Sequence, residues 1–274
     1  MIKKIRSSLF AKVFIITSIM LFCISLLVFG LLAWLMPKTY SNKLNDFLDK
    51  QAQIDFFLAA SHELKTPITI IKGQLEGMLL GIGAYKDREK YLLRSLGVVQ
   101  TLETMVHELL TISRLQTTDF EFKTEKFDCV SLICKYLSDT EDLIVGKELQ
   151  INTHFSEPVI INANKILMEK VFSNLVGNAI KYSPSKAVIN ITAKKQQKGY
   201  VFCIGNQGTH IPEESIPKLF EAFYRVDTSR RRQTGGSGLG LYIVQKILQQ
   251  YSRHCNACNT ENGVEFFFEF PQNM

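Results

Sequence analysis

Cysteine is scarce in this sequence and irregularly spaced, with six residues in a chain of 274. A small secreted domain held by disulfides carries its cysteines in a regular framework, so that class of protein is excluded. Cys255 and Cys258 have the spacing of a redox or zinc pair, but the sequence has no second pair to complete a tetrahedral site. We therefore expect reduced thiols and no zinc site.

The sequence also lacks a concentrated basic stripe, an internal repeat and a low-complexity tract. Its net charge of +6 arises from 32 basic and 26 acidic residues that are spread along the chain. Because nucleic-acid-binding proteins gather positive charge on one face, this distribution predicts no nucleic-acid partner.

A long apolar run occurs in one place, at 13–36, and it contains no charged residue. At about 1.5 Å per residue the run exceeds the roughly 30 Å thickness of a bilayer core, and it is longer than the apolar region of a cleaved signal peptide. It predicts a transmembrane helix between a basic flank at 1–12 and a linker at 37–50. The expected location is therefore the cell membrane.

The segment "ASHELKTPITI" at 60–70 combines His, Glu, Lys and Thr beside a proline. Apolar residues recur through it at steps of three and four, which predicts one long amphipathic helix. His62 lies about 200° around the helix from this apolar stripe and is predicted to be exposed, with Glu63 beside it and Thr66 on the same face. The alternative is an ordinary solvated helix face that contains a histidine.

A second helical pattern covers 88–116, after the glycine-containing connection "GIGAYKD". Together the two segments predict a helical hairpin domain at 51–116. Because a lone hairpin buries little apolar surface, we expect it to pair with a second copy in a four-helix bundle, which makes the protein a homodimer.

Composition changes at 117–127, which predicts a linker and then a separate domain at 128–274. Strand patterns in this domain alternate with helical ones, and the strands are joined by hairpins or single helices. This order predicts a mixed α/β layered domain and argues against a doubly wound nucleotide fold. The strands are expected at 149–155, 158–162, 187–193, 200–206 and 264–270, and the helices near 129–146, 164–181 and 238–251.

The segment "GGSGLGL" at 235–241 places Gly236, Gly238 and Gly240 directly ahead of an apolar helix. Glycines allow backbone N–H groups to approach phosphate, and a helix N-terminus adds positive potential. The pattern is not that of a P-loop, because no Lys-Ser or Lys-Thr follows. A flexible connector is the alternative.

The segment "NLVGNAIKYSP" at 174–184 carries Asn174, Asn178, Lys181 and Tyr182 on one helical face. The amide oxygen of Asn178 suits Mg²⁺, Lys181 can neutralise phosphate charge, and Tyr182 can pack on a base or ribose. The alternative is a set of exposed polar groups on an ordinary helix.

Two further segments complete the candidate nucleotide site. "IGNQGTHIP" at 204–212 runs from a strand into a glycine turn, where Asn206 can accept a hydrogen bond from an adenine amino group. The long polar connection at 216–236 contains Phe220 and Phe223 as an aromatic anchor, and it predicts a mobile lid over a ligand.

These five segments, in this order, strongly resemble the H, N, G1, F and G2 boxes of bacterial sensor histidine kinases, over about residues 51–271. The stretch around His62 is similar in particular to the vancomycin-resistance-type sensor kinases. The resemblance implies a dimeric four-helix phosphoacceptor bundle and an ATP-binding α/β sandwich of the gyrase, Hsp90 and histidine kinase superfamily. It also implies the use of ATP and Mg²⁺, and the receiver domain of a response regulator as partner.

The resemblance further implies a role for each motif residue. His62 would accept the phosphoryl group, Glu63 would orient and deprotonate the imidazole, and Thr66 would position water for dephosphorylation of the regulator. Asn178 would hold Mg²⁺ with Asn174 in support. The other ATP contacts would come from Lys181, Tyr182, Asn206, Gly208, Gly236, Gly238 and Gly240, beneath the lid anchored by Phe220 and Phe223.

The sequence departs from the family pattern at two places. Asn206 stands where the family usually has an acidic residue, and His210 stands where it has a second glycine. An amide oxygen still accepts a hydrogen bond, so we expect ATP binding to survive.

Family members usually carry two membrane helices around an external sensor. With one helix, the basic flank would place the kinase domains outside the cell, away from ATP, whereas the kinase hypothesis needs them in the cytoplasm. An inverted anchor and an internal deletion both remain open.

Two functions from different classes compete on this sequence. The first is an ATP-dependent protein-histidine kinase that autophosphorylates His62 and transfers the phosphoryl group to an aspartate of a response regulator. The second is a catalytically silent, membrane-anchored dimerisation scaffold, or a truncated kinase, that sequesters its partner. Retention of His62, Glu63, Asn178 and the lid glycines favours the enzyme.

Overall fold

The structure is a computed structural model that describes residues 50–116, 123–155, 158–197, 199–226 and 236–271, together with the helical positions 20, 21, 24–27 and 47. Its internal contacts divide the chain into two units, Met1–Leu58 and Ala59–Met274. The described residues of the first unit are helical. The sites discussed below lie in the second unit.

Two long helices form the predicted hairpin. Helix α1 covers 50–80 and α2 covers Arg88–Gln116, with a 3-10 turn at Gly83–Lys86 between them. The chain leaves α1 at Gly81, whose φ of +62° is a left-handed conformation that glycine adopts without steric cost. Ser95 of α2 donates a hydrogen bond of 2.7 Å to the side chain of Gln74 on α1 and so ties the two helices together.

The apolar stripe predicted on α1 is buried only in part. Ala60 and Met78 are buried, but Ile68 and Leu75 are about half exposed, at 53% and 49%. Part of the stripe stays exposed in the single chain because α2 covers one side of α1 and leaves the other side bare. Exposed apolar side chains of the hairpin include Ile68, Ile70, Leu75, Leu79, Leu80, Leu92, Leu93, Leu96, Val99, Val106 and Leu110.

The rest of the second unit contains two sheets. A small antiparallel sheet pairs β1 (Glu125–Asp128) with β3 (Ile160–Ala163). The main sheet has the strand order β2-β4-β5-β7-β6, in which β2 and β4 are parallel and the other neighbours are antiparallel. Its strands are β2 (Gln150–Phe155), β4 (Val188–Gln196), β5 (Gly199–Gln207), β6 (Cys255–Thr260) and β7 (Gly263–Pro271).

Helices cover one face of the main sheet and form the core with it. Phe172 of α5 packs against Phe202 of β5 and Phe268 of β7, and all three rings are buried. The side chain of Asn164 caps α5 by accepting a hydrogen bond from the Leu167 N–H, as residues at this position commonly do. The helices are α3 (Cys129–Asp139), α4 (Glu141–Gly146), α5 (Lys165–Tyr182) and α6 (Gly240–Gln250).

The five predicted strands and the α5 and α6 helices are all present, and the largely antiparallel sheet is not doubly wound. The single helix expected near 129–146 is divided into α3 and α4 at Thr140, whose hydroxyl bonds back to the Tyr136 carbonyl at 2.8 Å. Two strands were missed. β1 begins within the segment 117–127 that was predicted to be a linker, and β6 has a polar sequence that becomes a strand by pairing with β7.

No helix among the described residues is long and apolar enough to span a membrane. Of the membrane helix predicted at 13–36, only positions 20, 21 and 24–27 are described, and these are helical. The remainder of that prediction lies outside the described residues.

Candidate functional site

His62 lies on the solvent-facing side of α1, as its position relative to the apolar stripe predicts. Its side chain is 77% exposed, and Nδ1 lies 3.8 Å from Oε1 of Glu63. The hydroxyl of Thr66 reaches the carbonyl of His62, one turn earlier in the helix, at 3.4 Å. The imidazole is therefore accessible to a reactant, with a carboxylate beside one of its two nitrogens.

The polar face of α5 lies against the glycine loop, although the two are far apart in sequence. A Cβ placed on Gly240 would lie 2.6 Å from Oδ1 of Asn174, and one on Gly236 would lie 2.5 Å from Nζ of Lys181. Tyr182 is 47% exposed, with the Lys181 ammonium 5.2 Å from its ring centroid. Asn178, between these residues on the same face, is half-buried.

The loop itself has a backbone that requires glycine. Gly238 has a φ of +76°, and a Cβ there would lie 2.9 Å from the Cα of Phe223. The Gly238 carbonyl accepts a hydrogen bond of 3.0 Å from the Phe223 N–H, and Phe223 has a φ of +63°. Phe223 thus holds the loop through its backbone, while Phe220 is half-buried in the preceding turn. Residues 227–235 of the predicted lid lie outside the described residues.

Two positive groups meet at this loop. Arg225 donates a hydrogen bond of 3.0 Å to the carbonyl of Gly236, next to the Lys181 ammonium. Burial lowers the pKa of Lys181, and the nearby Arg225 charge lowers it further. Two cations beside glycine N–H groups form a local environment that favours an anion. The sequence analysis did not predict Arg225, although this residue closely follows the aromatic anchor in "LFEAFYR".

A carboxylate of the hairpin also reaches this region, and sequence reading missed it as well. Glu108 of α2 interacts with the side chain of Ser237 in the glycine loop and with the charges of Lys170 and Lys181. Burial raises the pKa of Glu108, and these three partners oppose the rise. Helix α2 packs on α6, and Gln250 donates to the Leu115 carbonyl at 3.2 Å. No local sequence pattern marks Glu108, because the contact is tertiary.

The end of β5 carries the residues of the predicted base site. Asn206 is only 4% exposed, and its Nδ2 has no hydrogen-bond partner among the described residues. A buried donor without a partner costs about 1–3 kcal/mol, so this atom indicates a place for a ligand. The following turn passes through Gly208, with a φ of +76°, where a Cβ would lie 2.8 Å from Pro184. Thr209 donates to the Tyr182 carbonyl at 3.1 Å.

Lys147 fixes the end of α5 that carries these groups. Its ammonium donates to the carbonyls of Ile180, Lys181 and Ser183, at 2.9, 2.7 and 3.1 Å. A cation at a helix C-terminus satisfies carbonyls that lack partners and complements the helix dipole. The end of α5 is therefore held by a side chain from the loop after α4.

Metal ligands are limited in this region. Among the described residues, no group of three or more His, Cys, Asp or Glu side chains is arranged to hold a metal ion. Asn178 offers one amide oxygen, which suits Mg²⁺ that is also bound by phosphate oxygens and water. Cys255 and Cys258 lie three positions apart on β6, so they point to opposite faces of the sheet and cannot chelate together.

Two segments of the chain match known domain families. Residues 52–118 match the His Kinase A (phospho-acceptor) domain, and residues 163–274 match the family described as histidine kinase-, DNA gyrase B-, and HSP90-like ATPase. These matches fall on the hairpin with His62 and on the region with α5, the glycine loop and four of the five strands of the main sheet.

Among curated proteins, the chain is 34% identical over 222 residues to the sensor protein VanSB of Enterococcus faecalis, covering 81% of this chain and 50% of that protein. It is 32% identical over 203 residues to the phosphate regulon sensor protein PhoR of Pseudomonas aeruginosa, covering 73% and 45%. The chain thus spans about half the length of the curated relatives it matches.

Among solved structures, the histidine kinase AdeS of Acinetobacter baumannii superposes with a TM-score of 0.66 at 25% identity, covering 78% of this chain and 98% of that one. The histidine kinase ThkA, in a complex with the response regulator protein TrrA, gives a TM-score of 0.63 at 27% identity, covering 77% and 59%. The helical hairpin and the α/β ATPase fold predicted from the sequence are therefore confirmed.

Proposed function

Because the chain belongs to the family of bacterial sensor histidine kinases, we propose that it transfers the γ-phosphoryl group of ATP to His62 and then to an aspartate of a response regulator. The observation that carries this proposal is the convergence of Lys181, Arg225 and the glycine loop into an anion site, in a chain that also exposes His62 on a helix. The silent scaffold has no observation in its favour.

ATP is the substrate that these residues fit. The Lys181 ammonium fills the space in which a Gly236 side chain would stand, so a phosphate chain can approach both the cation and the loop N–H groups. Tyr182 would pack on the base or ribose, and Asn206 would bind the base at the end of β5. Gly208, Gly238 and Gly240 would shape the pocket, with Phe220 and Phe223 supporting the lid.

Asn178 would hold Mg²⁺, with Asn174 beside it. When bound, the ion would neutralise charge on the phosphates. Asn174 Nδ2 donates to the Lys170 carbonyl at 2.8 Å, which fixes the amide so that its Oδ1 faces the loop at Gly240. The two asparagines would thereby present oxygens, which are the ligands that Mg²⁺ prefers.

His62 would act as the nucleophile. Glu63 faces Nδ1, so it can accept a hydrogen bond from the ring N–H there and leave the lone pair of Nε2 to attack phosphorus. The N–P bond forms as the bond between the γ-phosphorus and the β–γ bridging oxygen breaks, and ADP leaves. Glu63 stabilises the positive charge that develops on the ring. Thr66 would position water when the regulator is dephosphorylated.

The partners follow from the hairpin. The exposed apolar side chains of α1 and α2 would be buried against a second copy, forming a four-helix bundle. The receiver domain of a response regulator would dock beside His62, and the ThkA structure contains a regulator protein. We assign 51–116 to the dimerisation and phosphotransfer domain and 128–274 to the ATP-binding domain. A helix at 13–36 would hold the protein at the membrane, with these domains in the cytoplasm.

The proposal is tested by incubating the purified chain with Mg²⁺ and γ-labelled ATP. Phosphate on an imidazole is lost in acid and survives base, whereas phosphate on serine or threonine behaves in the opposite way. We expect acid-labile, base-stable label, and its loss in Asn178→Ala with the fold retained. A folded wild-type chain that takes up no label would contradict the proposal.

A further inference from the structure

Asn206 occupies an inward-facing position that is otherwise apolar. Every second residue of β5 faces the helices, and Tyr200, Phe202 and Ile204 at these positions are all buried. Asn206 is the next residue in this row. A buried amide at the end of an apolar row loses its hydrogen bonds to water. It therefore needs a partner that the fold or a ligand supplies.

The described part of the chain supplies no such partner to the amide nitrogen. The Asn206 side chain is buried, with 4% exposure, and its Nδ2 has no hydrogen-bond partner among the described residues. Its own backbone is engaged in the sheet between Ile189 and Val264. The free donor is thus a feature of the side chain alone.

The strand end is tied to the candidate nucleotide site. The turn after Asn206 is held by a hydrogen bond of 2.8 Å from the Gly208 N–H to the Asn262 carbonyl, and Thr209 bonds to the Tyr182 carbonyl. Tyr182 and its neighbour Lys181 belong to the face that meets the glycine loop. A nucleotide whose phosphates lie at that loop therefore has its base directed toward this strand end.

A carboxamide reads a purine differently from a carboxylate. Adenine presents a 6-amino donor beside the N1 acceptor, and guanine presents a 6-oxo acceptor beside an N1–H donor. The oxygen and the NH₂ of asparagine match either pair, because rotation of the amide by half a turn exchanges them. A carboxylate only accepts, so where it faces the 6-substituent of the base it suits the 6-amino group and repels the 6-oxo group.

From this geometry, and resting on the proposed function, we propose that Asn206 makes the site accept both 6-amino and 6-oxo purine nucleotides. The chain would bind GTP and ITP as well as ATP. Nδ2 would donate to N1 of adenine in one orientation and to the 6-oxo group in the other. The free amide donor of Asn206 thereby gains a partner from either base.

The test is a competition experiment on the full chain with Mg²⁺, in which ATP, GTP, ITP and CTP displace a fluorescent ATP analogue. We expect GTP and ITP to bind within about tenfold of ATP, and CTP to bind far more weakly because a pyrimidine does not fill the site. In Asn206→Asp, ATP binding should persist, and the ratio of GTP to ATP affinity should fall by about tenfold or more, as for the change of one bidentate base contact.

A matched control is Asn190→Asp, which makes the same chemical change on β4. Asn190 is half-buried, and its Oδ1 accepts a hydrogen bond of 3.2 Å from Asn152, which a carboxylate can also accept. This variant should keep the wild-type ratio. Binding of ATP without GTP, or an unchanged ratio in Asn206→Asp, would overturn the inference and leave the kinase proposal intact. A folded chain that binds no nucleotide would contradict both.

Discussion

The carboxyl group of Glu108 on α2 lies beside the side chain of Ser237 in the glycine loop, which lowers the pKa of that carboxyl. One oxygen of this carboxyl, Oε2, is buried without a hydrogen-bond partner among the described residues. A residue of the phosphoacceptor hairpin thus contacts the loop that would bind the phosphates of ATP. The charge of Glu108 faces Lys170 and Lys181, both from α5, and the pKa of the group is raised because burial outweighs these attractions.

Glu108→Gln should therefore stabilise the protein at neutral pH. The folded-state pKa of Glu108 lies above its unfolded value, so its contribution to stability is complete below the unfolded pKa and is lost as pH rises through the folded pKa. The variant removes this loss because its amide does not ionise. Melting temperatures measured between pH 4 and pH 8 should fall less steeply for the variant than for the wild type. Equal slopes would show that Glu108 is not held in a desolvating site.

Lys147→Met should loosen the end of α5. Three carbonyl oxygens would lose the ammonium at 2.7 to 3.1 Å, which we expect to lower the free energy of unfolding by about 1–3 kcal/mol. ATP affinity should fall too, because Lys181 and Tyr182 lie on this turn. The control is Lys186→Met, which removes an exposed lysine 3.7 Å from Glu148 and should change stability by less than about 1 kcal/mol. Equal effects of the two variants in urea unfolding would argue against a capping role for Lys147.

Gly238→Ala should disrupt the glycine loop. The new Cβ would meet the Phe223 backbone, and the φ of +76° is unfavourable for alanine, so we expect a loss of about 1–3 kcal/mol in stability and weaker ATP binding. The control is Gly97→Ala in α2, where a Cβ has no atom within 4 Å. It should stabilise the helix by about 0.5–1 kcal/mol. Wild-type ATP affinity in Gly238→Ala would exclude the loop from the nucleotide site.

Cysteine reactivity should follow burial. Cys134 is exposed, whereas Cys129 and Cys255 are buried, and burial raises the pKa of Cys255 to about 12. Alkylation at pH 8 followed by mass spectrometry should label Cys134 in the folded protein, and Cys129 and Cys255 only after unfolding. A mild oxidant should form no bond between Cys255 and Cys258, which face opposite sides of β6. Rapid labelling of Cys255 in the native state would contradict the packing of β6.

The sequence predicts those elements whose patterns are local. The exposure of His62, the five hydrophobic strands and the helix expected near 164–181 follow from periodicity within single segments, and the structure agrees, with α5 at Lys165–Tyr182. Strand β6 was not predicted because its small polar residues form a strand only through pairing with β7. Glu108 and Arg225 were missed for the same reason. Their contacts, with the Ser237 side chain and with the Gly236 carbonyl, are tertiary, and no local sequence pattern marks them.

Labelling of His62→Gln with γ-labelled ATP tests most directly whether His62 carries the phosphoryl group. The matched control is His107→Gln, because His107 is another exposed histidine on a helix of the same hairpin, and its Nδ1 lies 2.9 Å from the Glu103 carbonyl of that helix. We predict acid-labile label in the wild type and in His107→Gln, and none in His62→Gln, with equal ATP binding in all three. Undiminished label in folded His62→Gln would contradict the account.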